Sequence, residues 1–380
     1  MLKVYGVTFD HTVNYGSSLQ AYALQTAVEN TAVGGEKCSY RLIPLLDMPE
    51  HTNYRYGIRR QNLLKRMLGE VFFSVNFRQF RAFEGRYMKY ADCHHFQDLP
   101  RLNQEADAFV CGSDVIWNSF QNKGLDEYYL SFANKYKFSY AASFGSEDAD
   151  KGVTEKQKEY LSELRMISCR EKSSAMMAER LTGRKAEIVV DPVLLIGADQ
   201  WKKIIPKKAK QEKYIFSYTT HLFPEYEKFL QRLSRETGLP VVRAMYAGRP
   251  SIAIKQHKLV LQTPQKWLQQ LYNAEYVVTN SFHATAFSVM FHKKFFTVVH
   301  GDGTKGINIR MNDFLSGLGL QNRLYSAAPE RMDLTETEYA SIDSKLDQMR
   351  AASQAFLQRN LEAAWEAKQK DTGTGSEAQC

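Results

Sequence analysis

The chain has 380 residues, 44% of them hydrophobic and 24% charged, with a formal net charge of +8. That length suits about two domains with cores of their own, and the ordinary apolar and charged fractions exclude wholesale disorder. No apolar run approaches the ~20 residues that a membrane-spanning helix needs. The opening MLKVYGVTFD has no long apolar stretch before a small-residue cleavage site, so the expected location is cytoplasmic. Cys38, Cys93, Cys111, Cys169 and Cys380 are odd in number, widely spaced and form no CxxC, which fits free thiols better than a disulfide framework or a structural zinc site. The positive field suits an anionic ligand or surface without choosing one. No helix-turn-helix, zinc-finger or RNP-like string supports a nucleic-acid partner.

In chain order, residues 3–9 form a short apolar strand, a polar turn follows at 11–18, and Leu19, Ala23, Leu24 and Ala27 then recur at helical spacing. This is the opening of a βα unit. The stretch 52–90 differs: it carries Arg55, Arg59, Arg60, Lys65, Arg66, Arg78, Arg81, Arg86 and Lys89 against Glu70 and Glu84, interleaved with apolar residues. It predicts one or two amphipathic basic helices, either packed on their own domain or laid against anionic lipid head groups or a lipid pyrophosphate. Two further strands, 106–111 and 138–142, run into Gly112-Ser113-Asp114 and Ser143-Phe144-Gly145.

The second half alternates more regularly. Strands are expected at 166–169, 187–190, 214–218, 241–244, 257–261, 276–279 and, last, 295–299; helices are expected at 173–181, 225–237, 264–272, after Asn280-Ser281-Phe282-His283 through Phe291, and at 307–318. Residues 335–370 read as a long helix before a frayed tail. Repeated βα units with apolar strands predict parallel sheets. The expected fold class is α/β, with two Rossmann-like domains in a glycosyltransferase-B-like arrangement and a cleft between them. Residues 1–165 form the first domain with the basic insertion at 52–90, 166–334 the second, and 335–380 the C-terminal helix and tail.

Several strands end in small or polar residues, and open α/β sheets bind ligands at that end. Small residues let backbone N–H groups approach an anion, and the following helix presents its positive dipole end. No GxGxxG or Walker A string is present, which removes dinucleotide and ATP binding by those motifs. Arg170, after the strand ending at Cys169, can grip phosphate or carboxylate through two parallel bonds or form an ordinary surface pair with Glu171. His283 follows the strand 276–279 near a helix start; an imidazole titrates near pH 6.5 and exchanges protons at cellular pH, although a structural histidine fits the pattern as well. Arg310 opens a helix and either faces the cleft or covers the helix surface. No HxxxH, HxH or spaced carboxylate loop indicates a metal site.

Taken together, the strings resemble the polysaccharide pyruvyl transferase family over most of the chain. They are NYGSSLQAYAL at 14–24, CGSDVIWN at 111–118, SYAASFG at 139–145, ISCREKSS at 167–174, VVDPVLL at 189–195, NSFHATAFS at 280–288 and INIRMNDFL at 307–315. The resemblance implies phosphoenolpyruvate as donor and co-substrate, with no metal or nucleotide cofactor, and a pyruvate ketal bridging two hydroxyls of one sugar. It makes Arg170 similar to a donor-binding arginine and His283 to an acid/base histidine. Family members commonly carry Arg two places before that histidine; here the residue is Ser281, and Arg310 is expected to supply the charge.

On this reading the catalytic residues are His283 and Arg170. The donor meets Arg170, Arg310, Ser281, Ser113 and Gly112, and the acceptor meets Asn14, Ser17, Asp114, Ser143 and Trp117. The acceptor is expected to be a sugar on a lipid-linked oligosaccharide, bringing the basic stretch 52–90 to the inner membrane face. A nucleotide-sugar glycosyltransferase of the same fold, and a non-catalytic binding subunit that keeps it, are the alternatives.

Overall fold

In a computed structural model of the chain the described residues are 1–45, 63–119, 121–122, 124–146, 148–206, 212–245, 262–301, 306–326, 329 and 332–373. β1 (Lys3–Val7) leads into α1 (Tyr15–Asn30), the small antiparallel pair β2 (Ala32–Val33) and β3 (Glu36–Lys37), β4 (Ser39–Leu42) and α2 (Leu63–Tyr87). β5 (Ala108–Cys111), β6 (Tyr136–Ser139), α3 (Glu155–Glu163), β7 (Ile167–Cys169), α4 (Lys172–Thr182) and β8 (Ala186–Ile188) follow. α5 (Pro192–Leu195) and α6 (Gly197–Ile204) then lead to β9 (Ile215–Thr219), α7 (Pro224–Thr237), β10 (Val241–Met245) and α8 (Pro264–Asn273). The chain continues through β11 (Tyr276–Thr279), α9 (Phe282–Met290), β12 (Lys294–Val298), α10 (Ile309–Leu318), β13 (Leu324–Tyr325) and the long α11 (Ala340–Gly373).

Two parallel sheets result. The first runs β4-β1-β5-β6, and the second β10-β9-β11-β12-β13. β1 sits between β4 and β5 in parallel register, with Val4 opposite both Tyr40 and Ala108. β7 and β8 pair with each other and continue the first sheet: Ala142 bridges Cys169, and the Arg170 N–H donates to the Ala142 carbonyl at 3.2 Å. β7 and β8 thus extend the first sheet; alternating strands and helices look alike in both halves and do not reveal in the sequence which sheet a strand joins. β4 and β13 were not expected; β13, after the strand expected to be last, is only two residues long. The expected strand 257–261 lies outside the described residues.

In both sheets the first strand lies inside, with the second strand on one flank and the third on the other. Each therefore has a topological switch point, between β1 and β5 and between β9 and β11, where a crevice opens beyond the carboxyl ends of the strands. The largest core cluster spans both halves. α1 is its axle: Asn14 starts it by accepting the Gly16 N–H at 3.0 Å, and most of its residues are buried. Tyr15 stacks on Trp267 of α8 with ring centroids 5.4 Å apart, and Tyr22 meets Trp201 of α6. Burying side chains of this size contributes roughly 1.5–3 kcal/mol each. Two smaller clusters cover the other face of each sheet.

α2 occupies much of the basic stretch, of which 52–62 lies outside the described residues. Phe80 and Phe83 of α2 are buried in the shared core, so the apolar side of its C-terminal part meets protein. Among the described residues no helix is long and apolar enough to cross a membrane.

Candidate active site

A cavity of about 390 Å³ opens where the two switch points face each other. The segment after β1 and the start of α1 contribute Phe9, Thr12, Asn14 and Ser17, and the segment after β5 contributes Asp114 and Val115. From the second sheet come Thr220 and His221 after β9, Asn280 to His283 after β11, and Asn308, Arg310 and Met311 at the start of α10.

The first-sheet wall is built by cross-links between strand ends. Thr8 donates to the Ser113 carbonyl at 2.6 Å, Gln20 donates to Thr8 Oγ1 at 2.9 Å, and the Ser113 N–H reaches Gln20 Oε1 at 3.3 Å. Ser17 Oγ donates to Asp114 Oδ2 at 2.7 Å, and the Val115 N–H donates to Asp114 Oδ1 at 2.9 Å. Asp114 has a left-handed backbone, φ 73°, a conformation that Asp tolerates because its short polar side chain bonds locally.

The second-sheet wall carries the titratable groups. Ser281 caps α9, accepting the Ala284 N–H at 3.5 Å, so His283 stands in the first helical turn. Its ring rests against the first turn of α1. A Cβ on Gly16 would stand 2.2 Å from His283 Nδ1, so only glycine lets helix and ring approach this closely. His283 Nε2 is 3.4 Å from Asp191 Oδ2. Catalytic hydrogen bonds are commonly long until substrate closes the site.

Asp191 is the hub behind the cavity. It accepts from Arg170 Nη1 at 2.8 Å and from Ser113 Oγ at 3.1 Å, and its other oxygen caps α5 through the Val193 N–H at 3.0 Å. Burial alone would push this carboxyl up; His283 and Arg170 hold it below the usual carboxylate range. It is thus an anion placed to orient the imidazole. The sequence reading missed this role, although an Asp directly before Pro192, at the first position of a helix, is a readable cap signal.

Arg310 lines the cavity. Burial, and then the like charge of Arg170, push its guanidinium down to about 10, against the pull of Glu171, Asp114 and Asp191, so it still carries its proton at neutral pH. Arg170 lies behind the wall and not in it. It bonds Glu171 and Asp191, and its guanidinium carbon is 4.1 Å from the centroid of the Phe282 ring, which does line the cavity. Arg170, expected to grip the donor, thus stands one layer behind the cavity with Glu171 and Asp191 as its partners.

Of the other expected contacts, the structure brings Asn14, Ser17, Asp114, Ser281, His283 and Arg310 to one cavity. Ser113 and Ser143 are fully buried and spend their hydroxyls on Asp191 and Glu171. Gly112, φ 121°, passes so close to the Tyr140 carbonyl that a Cβ would stand 2.1 Å from it, which makes its role steric. Trp117 is a core residue, stacked on Tyr129 and donating to the Tyr128 carbonyl. Thr220, His221 and Asn280 had no assigned role; they form a linked rim, with the Thr220 N–H donating to Asn280 Oδ1 at 2.8 Å. Among the described residues no group of three or more His, Cys, Asp and Glu side chains is placed to hold a metal ion.

The family model for polysaccharide pyruvyl transferase matches residues 14–302. The chain belongs to the polysaccharide pyruvyl transferase family. That span holds Asn14, Ser17, Asp114, Asp191 and His283, and stops short of Arg310. No curated protein sequence matches the chain. Among solved structures it is similar to S. aureus MnaA with UDP, at 12% identity over 96% of this chain and 91% of the other, TM-score 0.47. The UDP-GlcNAc 2-epimerase of Neisseria meningitidis bound to UDP-GlcNAc aligns at 9% identity over 99% and 100% of the two chains, TM-score 0.46. The E. coli heptosyltransferase WaaC with ADP aligns at 12% over 92% and 100%, TM-score 0.39.

Proposed function

We propose that this pyruvyl transferase moves the pyruvyl group of phosphoenolpyruvate onto two hydroxyls of one sugar, forming a ketal, in the synthesis of a polysaccharide such as a capsule or exopolysaccharide. The observation that carries the reading is the pairing of His283 with Asp191 beside the buried Arg310, in a cavity whose other wall offers Asn14, Ser17 and Asp114.

An enol phosphate is unreactive towards alcohols until its methylene carbon takes a proton. His283, held by the Asp191 carboxylate, is the proton donor. Protonation leaves a cation at the carbon that bears the phosphate oxygen, and a sugar hydroxyl attacks it. Arg310 meets the donor's phosphate or carboxylate as a fixed positive charge in a buried site, where it needs no reorganisation during the reaction. Arg310 thus takes the part of the arginine that relatives commonly carry at the position of Ser281, and Ser281 serves as a helix cap. The donor is consumed, and no resident cofactor is invoked. The proposed acceptor is a lipid-linked oligosaccharide, with the basic stretch 52–90 at the inner membrane surface.

The test is phosphate release from phosphoenolpyruvate, with galactosides, mannosides, N-acetylhexosaminides and a lipid-linked oligosaccharide fraction as acceptors, and mass spectrometry of the products. A pyruvylated acceptor is expected from the wild type. His283→Ala should lower turnover by about 100-fold or more while still binding the donor. A nucleotide sugar that binds where phosphoenolpyruvate does not would replace this reading with glycosyl transfer.

A further inference from the structure

The geometry points to Asp114 as the base that takes the proton from the attacking sugar hydroxyl, with Ser17 as its positioning residue. This rests on the pyruvyl-transfer reading and assigns the one role that reading leaves empty. Among the described residues that line the cavity Asp114 is the sole carboxylate. It stands on the first-sheet wall, facing the wall that carries His283 and Arg310, so proton donor and proton acceptor come from different domains. Its charge acts on both Arg170 and Arg310, which places it near the cation that would hold the donor. Each oxygen already accepts one bond, from Ser17 Oγ or the Val115 N–H, which fixes the carboxylate plane. A carboxylate oxygen accepts more than one bond, so both can still receive a hydroxyl proton.

A carboxylate is a weak base, and this step needs no stronger one. As the hydroxyl oxygen closes on the cationic carbon it becomes positively charged, and its proton becomes far more acidic than a carboxylic acid. The proton then passes to a positioned carboxylate as the bond forms. In the first half-reaction the C–H bond forms at the methylene carbon with a proton from His283. The C–O bond to the acceptor then forms with a lone pair of the hydroxyl, and the O–H bond breaks towards Asp114. In the second the bond from carbon to the phosphate oxygen breaks with its electron pair leaving on phosphate, which takes the proton held by Asp114, and the second hydroxyl attacks and gives its proton back to His283. Over the cycle two hydroxyl protons are released; one balances the new methyl group and the other leaves on hydrogen phosphate.

Asp114→Asn is the variant of choice because Asn also tolerates the left-handed backbone and can still accept the Val115 N–H. With phosphoenolpyruvate and the acceptor panel above, kcat should fall by about 100-fold or more. The acceptor KM and the calorimetric Kd for phosphoenolpyruvate should stay within about threefold of wild type, since only the transition state loses an interaction. Ser17→Ala, which leaves the carboxylate in place but frees its orientation, should lower kcat by roughly 3–10-fold with the same donor Kd. Retained kcat in Asp114→Asn with a raised acceptor KM would make Asp114 an anchor and overturn the assignment, as would full activity in both variants. A wild type that neither binds nor turns over phosphoenolpyruvate would overturn the underlying reading, a failure visible before any variant is made.

Discussion

Arg170 and Arg310 carry the same side chain into one buried cluster and are given different work by their neighbours. Arg170 is clamped by Glu171 and Asp191 and is raised further above its already high range. Removing it leaves two buried carboxylates without their counter-charge, and breaking such a pair costs about 3–5 kcal/mol. Arg170→Ala should therefore show itself first as a lower melting temperature. Burial first, and then the like charge of Arg170, hold the Arg310 guanidinium down near 10 against the pull of Glu171, Asp114 and Asp191, so an anion that enters the cavity favours its charged form. Arg310→Gln should raise the donor KM by about 10–100-fold, the value of one or two charge-assisted hydrogen bonds. It should also shrink the thermal shift that saturating phosphoenolpyruvate gives the wild type. If the two variants exchange these phenotypes, Arg170 and not Arg310 is the donor clamp. Sequence pattern could not separate them: each follows or opens an element in the same polar context, and only packing shows that Phe282 stands over Arg170.

The first turns of α1 and α9 meet across the cavity, and that contact decides where the acid stands. Gly16 is the point of closest approach, because any Cβ there would occupy the place of His283 Nδ1. Gly16→Ala must push the ring away from α1. Alanine suits a helix better than glycine by about 1 kcal/mol, so stability should change little, while kcat falls at least tenfold through misplacement of His283. Melting curves and kcat measured together check this; unchanged kcat would show that the ring finds an equivalent position. Element positions were largely legible in the sequence. β11 coincides with the expected 276–279, and α4, α7 and α10 begin and end within two residues of expectation, because apolar periodicity and Gly C-caps such as Gly183, Gly238 and Gly319 mark them locally. Of the residues expected at the site, Asn14, Ser17, Asp114, Ser281 and His283 line one cavity, in the segments that follow β1, β5 and β11. Ser113 and Ser143, small polar residues of the same kind, instead tie one loop to the next. Both uses need a short hydroxyl at a strand end, and only the third dimension says which way it points.

At the scale of the whole molecule, α11 ties the two sheets into one unit. Near its start Asp343 meets His292 after α9; in its middle Arg350 donates to the Leu194 carbonyl and Ser353 accepts the Val190 N–H; towards its end Arg359 pairs with Glu187 and Lys368 with Asp107. The bonds at 190 and 194 bracket Asp191, so the helix also fixes the segment that orients His283. Since the largest core cluster spans both sheets, neither half buries its apolar surface without the other. Unfolding should then be one cooperative transition, although chains of this size often unfold in parts. Phe356, fully buried beside Tyr140, tests this from the first-sheet side. Phe356→Ala should cost about 3–5 kcal/mol and shift a single calorimetric peak downwards without splitting it. Two resolved peaks in the variant, with the upper one at the wild-type temperature, would mean that the second sheet is stable on its own and that α11 is a strap rather than part of a shared core.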